Sequence, residues 1–184
     1  MIDLFLRKLQ QDTAHWNTVK EYFQKMEVAP KTTLLSEGEI SRNLYFIKKG
    51  CLRLWFNNDG KDITFQFFFE KQAVASIESY FIGQPSLFSL QSIESCSLIY
   101  LQKENFDVLY HRYSGLKDAF MQLLLQRLEN YQKLFLSRIK DSPRKRYEDL
   151  LNTNPEIARR VPQHYIASYL GITPVSLSRI RNKQ

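Results

Sequence analysis

Cysteine is scarce in this chain: two in 184 residues, Cys51 and Cys96, neither in a CxxC pair nor clustered with histidine. That spacing argues against a zinc or iron–sulfur site. Two lone cysteines read instead as small buried hydrophobes. Histidine is scarce too, with three residues, and His15 and His111 stand alone. No apolar run approaches the roughly 18 residues of a membrane span. The opening MIDLFLRKLQ carries an acid at its third position and lacks a signal-peptide layout. A reducing, cytoplasmic setting is therefore expected, with no membrane partner. No nucleophile–base–acid set stands out, and Glu37, Glu39 and Glu78 read as turn and loop carboxylates. The chain is not read as an enzyme, and no metal or cofactor is expected. Internal repeats and low-complexity tracts are also lacking.

Positive charge is present but unevenly spread. Residues 138–184 hold ten Lys and Arg against four Asp and Glu, while residues 1–137 hold sixteen against fifteen. A basic excess confined to one end is the footprint of a segment that meets a polyanion. Within that end lies QHYIASYLGITPVSLSRIRNK, Gln163–Lys183. Gly171 permits a sharp turn with positive φ. Thr173 suits an N-cap and Pro174 the first helical position. Ile166, Ala167 and Leu170 give one helix an apolar face, and Leu177 and Ile180 give the next helix another. The pattern predicts a helix-turn-helix that reads double-stranded DNA.

Turning by about 100° per residue, Val175, Ser178, Arg179 and Asn182 face away from the buried side. With Thr173, Ser176 and Gln163 they are the candidate DNA-contacting residues. Arg179 can donate two bonds to a guanine edge, whereas Val175 offers only apolar contact. Arg144 and Arg146 are candidate phosphate contacts, or part of a solvated face. The alternative for the whole segment is a helical hairpin packed within a core.

Upstream, residues 3–25 read as helical, with Leu4, Phe5, Leu9, Trp16, Val19 and Phe23 at roughly helical intervals and a break at Asp12-Thr13. Packing on the next domain suits them better than a membrane surface, given Asp3, Asp12 and Glu21. From Val28 the period becomes two. Thr32–Leu35, Leu44–Lys48, Leu52–Phe56, Ile63–Phe69, Phe88–Ile93 and Ser97–Leu101 read as short strands, with Asn57–Gly60 a hairpin turn. A short helix and a loop fit between residues 71 and 90. Seven serines lie between Ser76 and Ser97; they are phosphate-holding hydroxyls or simply strand and turn residues. Short antiparallel strands with regular turns predict a closed or sandwiched sheet.

The longest helical run covers residues 113–139. Met121, Leu124, Leu128, Tyr131 and Phe135 recur as an a/d seam, with Leu116, Phe120, Leu123 and Leu134 beside it. Two apolar stripes call for two partners: the barrel, and a second copy of the same helix in a homodimer. Burial of the helix within a monomer is the alternative. Asp141-Ser142-Pro143 reads as a hinge, Asn152–Pro155 as a loop. The domains are therefore expected at residues 1–112 (sensor), 113–140 (dimerisation helix and hinge) and 141–184 (helix-turn-helix).

Barrel, long helix and helix-turn-helix in this order resemble the cyclic-AMP receptor protein/FNR (Crp/Fnr) family of bacterial transcription regulators. The residues that carry the likeness are Leu35–Phe67, Glu78–Leu98 and Tyr165–Arg181, the last similar to Bacteroidetes-type members. The resemblance implies an α+β fold: an antiparallel β-barrel of the cyclic-nucleotide-binding type (a double-stranded β-helix) with flanking helices, a dimerisation helix and an all-α C-terminal DNA-binding domain. It implies DNA, a second copy of the chain and RNA polymerase as partners. A small-molecule effector is open, with Ser76, Glu78, Ser79 and Ser86 near the family's pocket. The family's nucleotide-binding members place a glutamate and an arginine where Ser76 and Ser86 stand, and no arginine occurs between Gln72 and Phe106. A buried cyclic phosphate would lack a cation, so cyclic AMP is not expected to bind. The family's usual glutamate is replaced by Val175, which alters or relaxes the expected target. A binding or interaction module with a degenerate helix-turn-helix is the competing reading.

Overall fold

The computed structural model describes residues 13–182. The expected apolar positions Leu4, Phe5 and Leu9, and Lys183 of the C-terminal motif, lie outside the described residues. Helix α1 (Thr13–Val19) and a 3-10 turn (Lys20–Tyr22) lead into eight strands: β1 (Phe23–Val28), β2 (Thr33–Leu35), β3 (Asn43–Lys49), β4 (Leu52–Asn58), β5 (Lys61–Phe68), β6 (Ala73–Val74), β7 (Ser89–Ser92) and β8 (Cys96–Gln102). Helix α2 (Ile77–Ile82) interrupts them. After them come α3 (Lys103–Arg112), α4 (Ser114–Lys140), α5 (Pro143–Thr153), α6 (Pro155–Arg160), α7 (Gln163–Leu170) and α8 (Pro174–Arg181).

The strands form two four-stranded antiparallel sheets, in the orders β1-β8-β3-β6 and β2-β7-β4-β5. Among the described residues no ladder joins the two sheets, so the expected barrel is an unclosed jelly roll. Leu52, Leu54, Leu90, Leu98 and Ile47 fill the space between the sheets. The β4–β5 hairpin turns on Asp59 and Gly60, both with positive φ, the signature of a tight two-residue loop. Gly50 is held at φ +105, and a Cβ there would meet the Cys96 Sγ at 2.5 Å, so only glycine fits.

Two elements differ from expectation. Phe23 opens a strand rather than ending a helix, because Phe23–Val28 pairs with β8 along its whole length, from Phe23 opposite Leu101 to Val28 opposite Cys96. The expected loop Asn152–Pro155 shrinks to Asn154: Asn152 and Thr153 finish α5, Pro155 starts α6, and Ile157 anchors α6 in the core. The serine-rich stretch is largely structural. Ser92 Oγ accepts from the Thr32 N–H at 2.8 Å, and Ser89 Oγ accepts from the Glu37 N–H at 2.9 Å.

The C-terminal helices share a core with the second sheet. Tyr147, Leu150, Ile157, Ile166, Ala167, Leu170 and Leu177 pack together with Phe67 of β5 and with Cys51, just before β4. Alternation in β4 suggests that Arg53 faces solvent, yet it is only 1% exposed. Its guanidinium lies 3.7 Å from the centre of the Tyr165 ring and donates to Asp62 and Gln91. Ser168 of α7 accepts from the Thr64 N–H at 2.7 Å and donates to the Asp62 carbonyl at 2.9 Å. These are backbone groups of β5, an edge strand whose outer side would otherwise be unpaired.

Candidate functional site

Helices α7 and α8 are joined by a three-residue turn. Gly171 takes φ +67 at the end of α7, and the N–H groups of Gly171 and Ile172 return to the Ser168 and Ala167 carbonyls, each at 3.0 Å. Thr173 Oγ1 accepts from the Ser176 N–H at 3.1 Å and Pro174 follows as the first helical residue. Leu177 is buried and Ala167 wholly so, which lets the two helices cross closely. Val175 is 60% exposed, and Ser178, Arg179 and Asn182 are exposed beside it. Ser176 is half-buried next to its cap, and Gln163 is exposed at the start of α7.

The two upstream arginines are placed differently from each other. Arg144 is exposed and paired with Glu148 at 2.8 Å. Arg146 is spent internally: it donates to the Asp141 carbonyl at 2.8 Å and to the Leu170 carbonyl at 3.0 Å. It satisfies the end of α7 rather than standing free for a phosphate, because its position on α5 faces that helix. Arg181 was not among the expected contacts; it is exposed and, among the described residues, neither it nor Arg179 has a protein partner. Its signal was simply its place two residues beyond Arg179.

A separate cationic clamp fastens this region to the sheets. Arg160 Nη2 and Nη1 donate to the two oxygens of Glu70 at 2.8 and 2.9 Å, and Arg160 also pairs with Glu94. Glu70 accepts in addition from the Gly50 N–H at 2.8 Å. The hydrogen bonds from Arg160 hold the Glu70 carboxyl down at about 2. Folding therefore favours the ionised form. The stabilisation is complete above the ordinary carboxylate value of 4.5 and fades as pH falls from there towards 2. Glu70→Gln is expected to lower stability by about 1 kcal/mol at neutral pH, after allowing for solvent screening, and by much less near pH ~3. Urea unfolding of both proteins at the two pH values measures this; an equal difference at both would contradict it.

A cavity of about 310 Å³ lies between the second sheet and α4. Leu54, Phe65, Phe88, Ile77, Leu124, Leu128 and Tyr131 form its apolar wall, and Ser76, Glu78 and Arg127 its polar part. Of the expected pocket residues, Ser76 and Glu78 line it, while Ser79 and Ser86 do not. The Ser79 hydroxyl donates to the Gln84 carbonyl at 2.6 Å and accepts from the Ser41 N–H at 2.9 Å, which fixes the loop. Ser86 Oγ lies 2.7 Å from both the Ser76 Oγ and the Phe88 carbonyl, and the Ser76 hydroxyl donates to Glu78 at 3.0 Å. Where the resembled nucleotide binders place a glutamate and an arginine, this chain has two buried hydroxyls occupied with each other.

The cavity nonetheless holds a cation, from α4. Arg127 is 6% exposed, donates through Nη2 to the Ala73 carbonyl and sits 5.0 Å over the Phe68 ring. Burial pulls its pKa below the ordinary guanidinium value. The sequence held a signal for it: Leu116, Phe120, Leu123 and Leu134 leave a gap in their stripe that Arg127 fills at helical spacing.

The expected seam on α4 divides between two surroundings. Leu124 and Tyr131 turn inward; both line the cavity, and the Tyr131 ring lies 5.1 Å from Phe65. Met121 and Phe135 stay exposed, joined by Leu125 and Ile139, and Leu128 lies between the two surroundings, exposed while bordering the cavity. Exposures of 54–69% along 121, 125, 128, 135 and 139 leave a continuous apolar stripe at spacings of three, four and seven. His111 Nδ1 lies 2.7 Å from the Asp107 carbonyl, and the His15 side chain lies outside the described residues. Cys51 and Cys96 are buried, and burial raises both thiols, Cys96 to about 11. Among the described residues, no group of three or more His, Cys, Asp or Glu is placed to hold a metal ion, and no helix is long and apolar enough to cross a membrane.

Two packed antiparallel sheets, a long helix and a terminal set of short helices make a mixed α+β fold built on a cyclic-nucleotide-binding-like jelly roll. Residues 25–113 match the Cyclic nucleotide-binding domain family. No curated protein matches the sequence. Among solved structures, the chain is similar to a transcriptional regulator assigned to the crp/fnr family from Eubacterium rectale, with a TM-score of 0.76, 17% identity, and coverage of 95% of this chain and 85% of that one. It is similar to FixK2 from Bradyrhizobium japonicum, with a TM-score of 0.75, 14% identity, and coverage of 88% and 83%. The c-di-GMP-responsive global regulator CLP of Xanthomonas campestris gives 0.68, 16%, and 94% and 91%. At these identities the likeness is one of fold.

Proposed function

We propose that the protein is a homodimeric, sequence-specific DNA-binding transcription regulator whose jelly roll is a sensor for an effector other than cyclic AMP. The observation that carries this reading is the outward face of α8. A capped, proline-started helix projects Val175, Ser178, Arg179 and Asn182 from a tight turn, at the basic end of the chain. Arg179 reads a base edge, with Thr173, Ser176 and Gln163 near the backbone; Arg144 and Arg181 supply phosphate contacts. The exposed stripe on α4 meets its copy and sets two reading helices side by side. RNA polymerase is the downstream partner that such a regulator engages from the DNA.

The docking of α7 on β5 supports a route for a signal. The cavity and the C-terminal core share β5, with Phe65 lining the one and Phe67 packed in the other, so a change at the cavity reaches α8 along that strand and alters the relative placement of the two reading helices about residues 141–143. The reading is tested by a shift assay with genomic fragments. Affinity is expected to fall about 10³-fold or more between roughly 50 and 200 mM salt. A flat salt response would leave a binding module that no longer reads DNA.

A further inference from the structure

Arg127 carries into the sensor cavity a charge that no carboxylate among the described residues pairs, with the Tyr131 phenol as its favourable polar neighbour there. Its Nη2 is spent on the Ala73 carbonyl, and Nη1 has no hydrogen-bond partner among the described residues. No ion pair to Arg127 occurs there either; Glu78 lines the same cavity but accepts from Ser76 instead. The Phe68 face offsets part of the buried charge. A guanidinium that is more than nine-tenths buried and has one edge unpaired is costly to maintain, and an anion in the cavity removes that cost.

Resting on the reading of the jelly roll as a sensor, we propose that this cavity binds a small monocarboxylic acid with an apolar body, its carboxylate on Arg127. The wall formed by Leu54, Phe65, Phe88 and Tyr131 supplies apolar contact for the body. One carboxylate fits the donors available. A phosphate would need partners for three oxygens, and the hydroxyls of Ser76 and Ser86 are already engaged. Glu78 disfavours a second negative charge on the ligand and can accept from a ligand hydroxyl or ammonium.

The test is calorimetric titration of the full chain with hydrocinnamate and octanoate, each beside its neutral amide, and with cyclic AMP. At least one acid is expected to bind about tenfold or more tightly than its own amide, the worth of a buried charge-assisted bond. Arg127→Met is expected to abolish that preference, and Arg127→Lys to retain part of it. Binding by neither acid, equal binding of acid and amide, or binding of cyclic AMP in place of both would overturn the proposal. If Arg127→Met does not fold, the acid–amide comparison on the parent protein decides. A DNA shift assay on the same preparation separates the two readings. DNA binding without acid binding sinks only the ligand proposal, and acid binding without DNA binding sinks only the regulator.

Discussion

Replacing Leu125 and Phe135 by glutamate is expected to yield a folded monomer that binds a two-half-site DNA about 10²–10⁴-fold more weakly than the parent. Both side chains are largely exposed, at 58% and 65%, so the substitutions cost the protomer's own core little. In a paired helix the same positions face their copies, where like charges meet in a desolvated seam. The loss on DNA follows from geometry. A dimer's second head binds at the high effective concentration set by the first, and a monomer forfeits that advantage without losing a single contact of its own. Sedimentation separates monomer from dimer, and a shift assay on the same samples reads the affinity. A variant that stays dimeric would place the interface elsewhere. A monomer with unchanged affinity would show that a single head suffices.

Arg179→Ala is expected to cost about 1–3 kcal/mol on a cognate site, or roughly 5–150-fold in affinity, concentrated at one base pair. Arg179 is exposed on α8 and has no partner among the described residues, so nothing in the protomer is lost with it. Arg179→Lys should recover only part of the loss, because an ammonium cannot reproduce the planar two-bond fork. Competition with sites altered at each position locates the effect. A loss spread equally over all sequences would make Arg179 a phosphate contact. Val175, 60% exposed on the same helix, can recognise only an apolar feature such as a thymine methyl.

The features legible in the sequence were those with local causes. Gly171, Thr173 and Pro174 specify the turn between α7 and α8 by backbone preference alone, and the structure has each in its expected role. The strand runs from Leu44 to Phe68 followed from alternation and the Asp59-Gly60 turn. What was not legible depended on long-range packing. Leu124 and Leu125 are the same residue one step apart. Only the position of the sheet shows that the first meets the cavity and the second does not. Arg53 points outward by alternation yet is covered by Tyr165, and no local pattern shows that Glu70 and Glu94 hold Arg160. Arg146 offered a plausible phosphate contact by composition, yet its guanidinium faces the carbonyls of Asp141 and Leu170. The cavity's cation comes from α4, well beyond the segment between Gln72 and Phe106 where the resemblance implies a phosphate-binding arginine.

The proposed function requires that two copies of α8 read DNA together. Selection of bound fragments from genomic DNA by the purified full chain tests it most directly. The expected result is enrichment of an inverted repeat whose half-site centres lie about one helical turn, roughly 34 Å, apart. No enrichment over random fragments, or enrichment of a single unrepeated site, would contradict it.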